Sequence, residues 1–298
     1  MPLIAVSAAL AASMIWAAGA LLAHKPATLM GPFEFTRVTL ISAALLLALI
    51  VTWQGNWETI AWDFLPSLAL SGLVGVLLCN LCFVVCLRRG GPRRAEFLFA
   101  MNTPIAAMLG YAVLGEQLSL LSIAGAALVL AGIVLAILHG HKPAAEDALE
   151  IITGSIWPML FFGVLSGLCQ AIGFIAAKPA LLAGTDPLAA SAIRVIISAV
   201  ALVVVALWPA RAFAPLTQPS GALVLRAIPP GVLGYVVASS LLLYALASYD
   251  TGVVVVLGST VPVMILPMIW LRTRNRPPLL AWVGAALVVA GTAMILRA

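Results

Sequence analysis

Charge is scarce in this chain. Only 8% of its 298 residues are charged, ten acidic and fifteen basic, with three histidines, where an ordinary soluble domain is about a quarter charged. Long polar stretches are missing too. No segment between the apolar runs reaches about 50 residues, the usual minimum for a folded domain, which excludes a soluble enzyme. The basic residues lie scattered among short segments and form no continuous stripe, so the net charge of +5 does not point to nucleic acid. The four cysteines, Cys79, Cys82, Cys86 and Cys169, all fall inside apolar runs. Three of them recur on one helical face like a metal comb, but no histidine stands near. They read as small, soft packing residues, and no metal site is expected.

Catalytic constellations are also absent. The sequence has no Gly-x-Ser-x-Gly elbow, no His-Glu-x-x-His and no phosphate-binding Gly-x-x-x-x-Gly-Lys loop. Tyr249-Asp250 resembles one half of an intramembrane aspartyl protease pair, yet no second carboxylate is placed to share its proton. Asp250 fits better as the cap of a helix beginning at Gly252. Neither an enzyme nor an ATP-driven pump is expected, and no cofactor.

What the chain does have is apolar length. It is 64% hydrophobic with a mean hydropathy of +1.18. Runs of about 20 residues, enough to cross a core of about 30 Å, fall near Leu3–Ala23, Glu34–Trp53, Leu65–Leu87, Ala95–Leu114, Leu118–Leu138, Ser155–Ala177, Leu188–Trp208, Pro230–Ala247, Gly252–Leu271 and Leu279–Leu296. The first run carries no Lys or Arg ahead of Lys25, so it reads as a spanning helix and not as a signal peptide. The fold expected is an all-α integral membrane protein of ten transmembrane helices, with the lipid bilayer as its surroundings. Residues 139–154 form the longest polar interruption and separate a first five-helix unit, 1–138, from a second, 155–298.

The two units repeat each other. Gly125-Ala-Ala-Leu-Val-Leu-Ala-Gly132 matches Gly284-Ala-Ala-Leu-Val-Val-Ala-Gly291 at all but one position. Gly72-Leu-Val-Gly75 falls on Gly231-Val-Leu-Gly234, Lys25-Pro-Ala on Lys178-Pro-Ala, and Arg37-Val on Arg194-Val. Because five is odd, the second unit enters the membrane upside down, the inverted-repeat plan of many secondary transporters. The glycines of the fifth and tenth spans read as packing seams.

Several of these residues carry a family resemblance: Arg37 and Arg194 near the start of the second helix of each unit, Leu114-Gly-Glu116 before Gly125, and Tyr244-Ala-Leu ahead of a Val-rich run with Pro262. The chain resembles the drug/metabolite transporter superfamily, in its ten-helix EamA-like exporter branch, over almost its whole length. The second half departs from the pattern, with Arg274-Asn275 where the first has Gly115-Glu116. The resemblance implies a secondary transporter that exports small metabolites by alternating access. The branch exporting aromatic and other neutral amino acids is most similar, and a multidrug or other metabolite transporter of the same fold is the alternative. A non-transporting membrane receptor or scaffold is a further rival. A cell (inner or plasma) membrane location follows from the same resemblance.

Alternate loops differ in basic charge. One side has Lys25, Arg37, Arg88, Arg89, Arg93, Arg94, Lys142, Arg211, Arg226, Arg272, Arg274 and Arg276, 12 of the 15, and the other only Lys178, Arg194 and Arg297. The positive-inside rule makes the first side cytoplasmic and puts both termini outside, whereas the family resemblance implies termini inside.

Polar groups at mid-span depth face the bundle interior or a watery cavity. Asn80, Asn102, Gln170, Ser239, Ser240, Ser259 and Thr260 are the candidates, and they fall in repeat-related spans. Interhelical hydrogen bonding is the alternative role for each. Trp16, Phe97, Phe99, Phe174 and Tyr244 supply flat apolar surface for a small-molecule substrate, while Trp53, Trp57, Trp62, Trp208 and Trp282 flank spans as interfacial anchors. From these, Trp16, Asn80, Phe97, Asn102, Gln170, Ser240, Tyr244 and Ser259 are expected to line the substrate site. Pro104 and Pro262 each remove a backbone donor from a span and are expected to bend it as paired hinges. No acidic residue sits at a clear midplane; Glu96 and Arg37 lie about a turn inside the membrane, where they can pair or snorkel. An uncoupled facilitator and a proton exchanger both remain open, as does the oligomeric state.

Overall fold

Proline and glycine set many of the helix boundaries. The computed structural model of the chain describes residues 2–114, 119–138, 154–207, 215–218, 220–248 and 260–297. Helix α1 (Pro2–Met30) ends at Gly31, whose φ of 89° turns the chain into α2 (Pro32–Gln54), with Pro32 at its start. Gly55, at φ 74°, closes α2 in the left-handed conformation that favours glycine. Then come α3 (Leu65–Gly72), a π-helical stretch over Leu73–Leu78, and α4 (Cys79–Phe99), followed by α5 (Asn102–Leu114) and α6 (Leu120–Leu138).

The second unit begins with α7 (Ile156–Leu182), capped by Ser155, and α8 (Pro187–Ala206). The Asp186 carboxylate accepts the first N–H groups of α8 from Leu188 and Ala189. Next are α9 (Gly221–Gly231), a second π-helical stretch over Val232–Ala238, α10 (Ser239–Ser248), α11 (Val261–Thr273) and α12 (Leu279–Leu296). Among the described residues, six helical stretches, including Ser7–Met30, Trp62–Phe99 and Gly221–Ala245, are long and apolar enough to cross a membrane, and Ile123–Ala136, Val261–Thr273 and Leu279–Met294 are shorter apolar helices. The chain is an all-α multi-pass membrane protein of two inverted five-helix repeats.

Several boundaries differ from the sequence reading. The third span continues to Gly90 and turns at Gly91 alone (φ 79°) before Pro92 restarts the helix, so the loop expected between Leu87 and Ala95 is a sharp kink. Only glycine takes that conformation cheaply, and proline suits a first helical turn. The fourth span is not continuous. It breaks at Ala100–Met101, and Pro104 lies in the first turn of α5 instead of in a helix interior. Pro262 likewise stands in the first turn of α11. At a helix start the missing N–H is one that has no intrahelical partner anyway, so neither proline bends a continuous helix. The eighth span starts at Gly221, well before Pro230, because Ser220 caps it by accepting the Leu223 N–H. The Arg93 and Arg94 side chains, counted above among loop charges, are buried; Arg93 donates to the Ala136 carbonyl at the end of α6 and Arg94 to Gly90.

Packing follows the internal two-fold. The α1 helix lies along α9–α10 and α11, while its counterpart α7 lies along α3 and α4–α5; α2 packs on α8. Helices α6 and α12 run antiparallel along each other. A Cβ on Gly132 would come 2.6 Å from the Gly284 carbonyl, and one on Gly291 would come 2.5 Å from that of Gly125. Repeat-equivalent glycines also meet the second helix of the other unit: Gly72 against the Arg194 carbonyl and Gly231 against that of Thr39. Such approaches replace the hydrophobic drive that is weak between helices in lipid.

Candidate functional site

The two π-helical stretches occupy equivalent places in the repeats and both border one cavity. An extra residue per turn widens the helix and re-aims its side chains, a device frequent at functional sites. From the first stretch come Gly75 and Val76, and from the second Gly234 and Tyr235. The cavity encloses about 750 Å³ with its mouth included. It runs from Gly75, Gln170 and Arg194 at depth to Ala23, Phe35, Leu87 and Pro230. That is the end of the bundle where α1 stops and α2 begins, the end bearing Arg88.

One wall is aromatic. Trp16 and Phe99 have ring centroids 5.9 Å apart, and Phe83 meets Phe99 edge-on at 5.5 Å. The polar lining is spaced around it. Asn80 Nδ2 donates to Thr36 Oγ1 at 3.1 Å, the Cys79 thiol donates to Gln170 Oε1 at 3.4 Å, and Ser239 and Thr39 complete the set. Flat apolar surface with a few separated polar groups suits a small organic molecule.

Arg194 is the cation of this lining. It is 1% exposed, and its Nε and Nη1 atoms have no hydrogen-bond partner among the described residues. Its repeat counterpart Arg37 is half-exposed and forms an ion pair with Glu34 at 2.7 Å. Glu96 does not pair with Arg37: it is fully buried, and both of its carboxylate oxygens lack hydrogen-bond partners among the described residues. No acidic residue among those described lines the cavity.

The repeats differ at their crossing points. A Cβ on Gly75 would lie 2.5 Å from the Gly173 Cα, so the first π-helical stretch and α7 touch backbone to backbone. Gly234, the equivalent of Gly75, has nothing within 4 Å of such a Cβ. The space left there is the cavity. At the closed end the Ala61 N–H donates to Thr185 Oγ1 and the Asp186 N–H to Thr59 Oγ1, both at 3.0 Å.

The structure therefore brings Trp16, Asn80 and Gln170 to one cavity, with Phe99 and Ser239. Phe97 is buried in the adjoining core, outside the lining. Asn102 begins α5 and accepts from the Thr103 hydroxyl at 3.0 Å. Ser240 is buried, its hydroxyl without a partner among the described residues, one position away from the lining Ser239. Phe174 packs with Ile15, Trp16 and Ile193 against a neighbouring cluster, outside the lining. Tyr244 does not line the cavity; it is 41% exposed. It follows Ser239 by five residues, which in an α-helix is about 140° beyond a full turn, on the far face. Ser259 and Asp250 lie outside the described residues. Residues that sequence reasoning missed as lining include Arg194, Tyr235 and Phe35. For Arg194 a signal existed, a charge nearly two turns inside its apolar span, deeper than snorkelling explains.

The EamA-like transporter family matches the chain over residues 3–138 and again over 157–297. No curated protein matches it. A solved crystal structure shares its fold with a TM-score of 0.70 and 17% sequence identity, over 97% of this chain and 95% of that one.

Proposed function

The chain belongs to the EamA-like transporter family, whose members are membrane transporters of small molecules and not enzymes, and on that premise we propose that it exports aromatic or other neutral amino acids by alternating access. The observation that carries this reading is the unequal pair of crossings: Gly75 closed on Gly173, Gly234 open to the cavity. Inverted repeats that exchange these two shapes expose one site to the two sides in turn. With the basic end of the bundle cytoplasmic, the present shape faces inward and receives substrate for export. The Trp16–Phe99–Phe83 wall suits an aromatic side chain, and Asn80 and Gln170 suit polar backbone-like groups of a zwitterion. The substrate-binding set is Trp16, Asn80, Gln170, Phe99 and Ser239, with Phe97 and Ser240 behind them. A multidrug reading fits less well, because Arg194 repels lipophilic cations. The protein works in the cell membrane on this proposal.

The test is flux into proteoliposomes from labelled amino acids, sugars and lipophilic cations, with and without a pH gradient. Saturable flux of phenylalanine or leucine supports the reading. Flux of the cations alone overturns it in favour of a multidrug transporter, and sugar flux alone in favour of another metabolite.

A further inference from the structure

We propose that Arg194 is the receptor for a carboxylate of the transported molecule, an inference that rests on reading the cavity as the transport site. The two repeats place an arginine at the same position of their second helices but treat its charge differently. In the first, Glu34 stands three residues before Arg37 and pairs with it at 2.7 Å. In the second, the residue three before Arg194 is Ser191, whose hydroxyl donates to the Tyr235 carbonyl at 3.2 Å. The internal counter-ion has been replaced by a neutral group that is occupied elsewhere.

Arg194 is nonetheless the more deeply buried of the two, at 1% exposure, with Nε and Nη1 unbonded among the described residues and the cavity beside it. A guanidinium taken out of water without a partner is strongly destabilising, and an anion that binds it recovers that cost. The planar fork of arginine matches the two oxygens of a carboxylate. No acidic residue and no second cation lines the cavity among the described residues, so the lining compensates one negative charge, as a carboxylate carries, and not the two of a phosphate. Trp16, Phe83 and Phe99 then receive the apolar remainder. Because no acid faces a substrate ammonium, the carboxylate is the group this cavity selects by charge.

The test is a binding series on the purified full chain, read by calorimetry, with L-phenylalanine, 3-phenylpropionate, hexanoate, L-phenylalaninamide, phenethylamine and inorganic phosphate as probes. Carboxylates are expected to bind, with amide and amine weaker by about tenfold or more. Arg194→Gln is expected to erase that preference. Ser191→Glu leaves Arg194 in place and restores the arrangement of Glu34 and Arg37, so it decides the matter even if Arg194→Gln does not fold: it should weaken carboxylate binding by about tenfold. Binding of hexanoate but not of the aromatic probes supports the role of Arg194 and defeats the aromatic amino-acid reading. The proposal is overturned if amide and amine bind as tightly as the acids, if Ser191→Glu binds acids like the wild type, if phosphate alone binds, or if no carboxylate binds at all.

Discussion

The Ser71 hydroxyl donates to the Gly173 carbonyl at 2.5 Å, one turn before Gly75 meets the same glycine backbone. The repeat equivalent of Ser71 is Pro230, which has no donor to offer the opposite crossing. The closed end is therefore held by a bond that its mirror end lacks. One buried hydrogen bond contributes about 1 kcal/mol. Ser71→Ala should raise the population open at this end by about fivefold. A single cysteine at Ala177, fully buried beside Leu68, should then react faster with a small thiol reagent; an unchanged rate would show that the bond does not hold the gate.

Gly234 and Gly75 should respond in opposite ways to an added side chain. Gly234→Ala meets nothing within 4 Å, so the melting temperature of the purified protein should stay as in the wild type while flux falls, because the opposite shape needs that approach. Gly75→Ala collides with the Gly173 backbone and should cost roughly 1–3 kcal/mol, as overpacking does. Thermal melts and proteoliposome flux on the two variants separate the effects; equal stability losses would defeat the exchange of shapes.

Substrate should shield the lining and leave the far face alone. In a background free of the four native cysteines, cysteines at Trp16, Asn80 and Gln170 are expected to label more slowly when phenylalanine is added. A cysteine at Tyr244 should label at one rate with or without it, since that side chain faces away from the cavity. Indifference at all three lining positions would move the site elsewhere.

Pro104 begins α5 just after the break at Ala100–Met101, and Pro262 begins α11. As hinges they act through their fixed φ of about −65°, which sets the angle at which each helix leaves its junction. Pro104→Ala and Pro262→Ala should lower the transport rate more than substrate affinity, the double variant most of all. Normal flux in both single variants would make them passive starters.

By the alternate loops of the sequence, twelve of the fifteen basic residues fall to one side, so reporters fused after Ala298 should report an outside C-terminus. A cytoplasmic signal would reverse the orientation and turn the present cavity outward.

The repeat was legible because Gly, Pro and Arg recur in register, and these are the residues whose backbone or charge cannot be exchanged for Leu or Val. Trp16, Asn80 and Gln170 could be picked out as oddities of depth in apolar runs. Tyr244 could not be excluded the same way, since depth says nothing of which face a residue takes. The π-helical stretches left no trace in the sequence, because Leu-Val-Gly-Val-Leu-Leu and Val-Leu-Gly-Tyr-Val-Val-Ala are as compatible with an α-helix. The isolation of Arg194 became visible only when Ser191 was set in space beside it. The kink at Gly91 was hidden by counting span lengths, which assigns about 20 residues to each crossing and cannot see a one-residue turn.

The glycine seam between α6 and α12 has a consequence for biosynthesis. The α6 helix finishes the first unit, yet the helix that fills its Gly125 and Gly132 notches is the last of the second unit. During synthesis these notches have no native occupant, and α6 waits in lipid with its smallest residues exposed. The seam thus closes only once Leu279–Leu296 has been inserted, and a chain stopped before Leu279 carries an open notch.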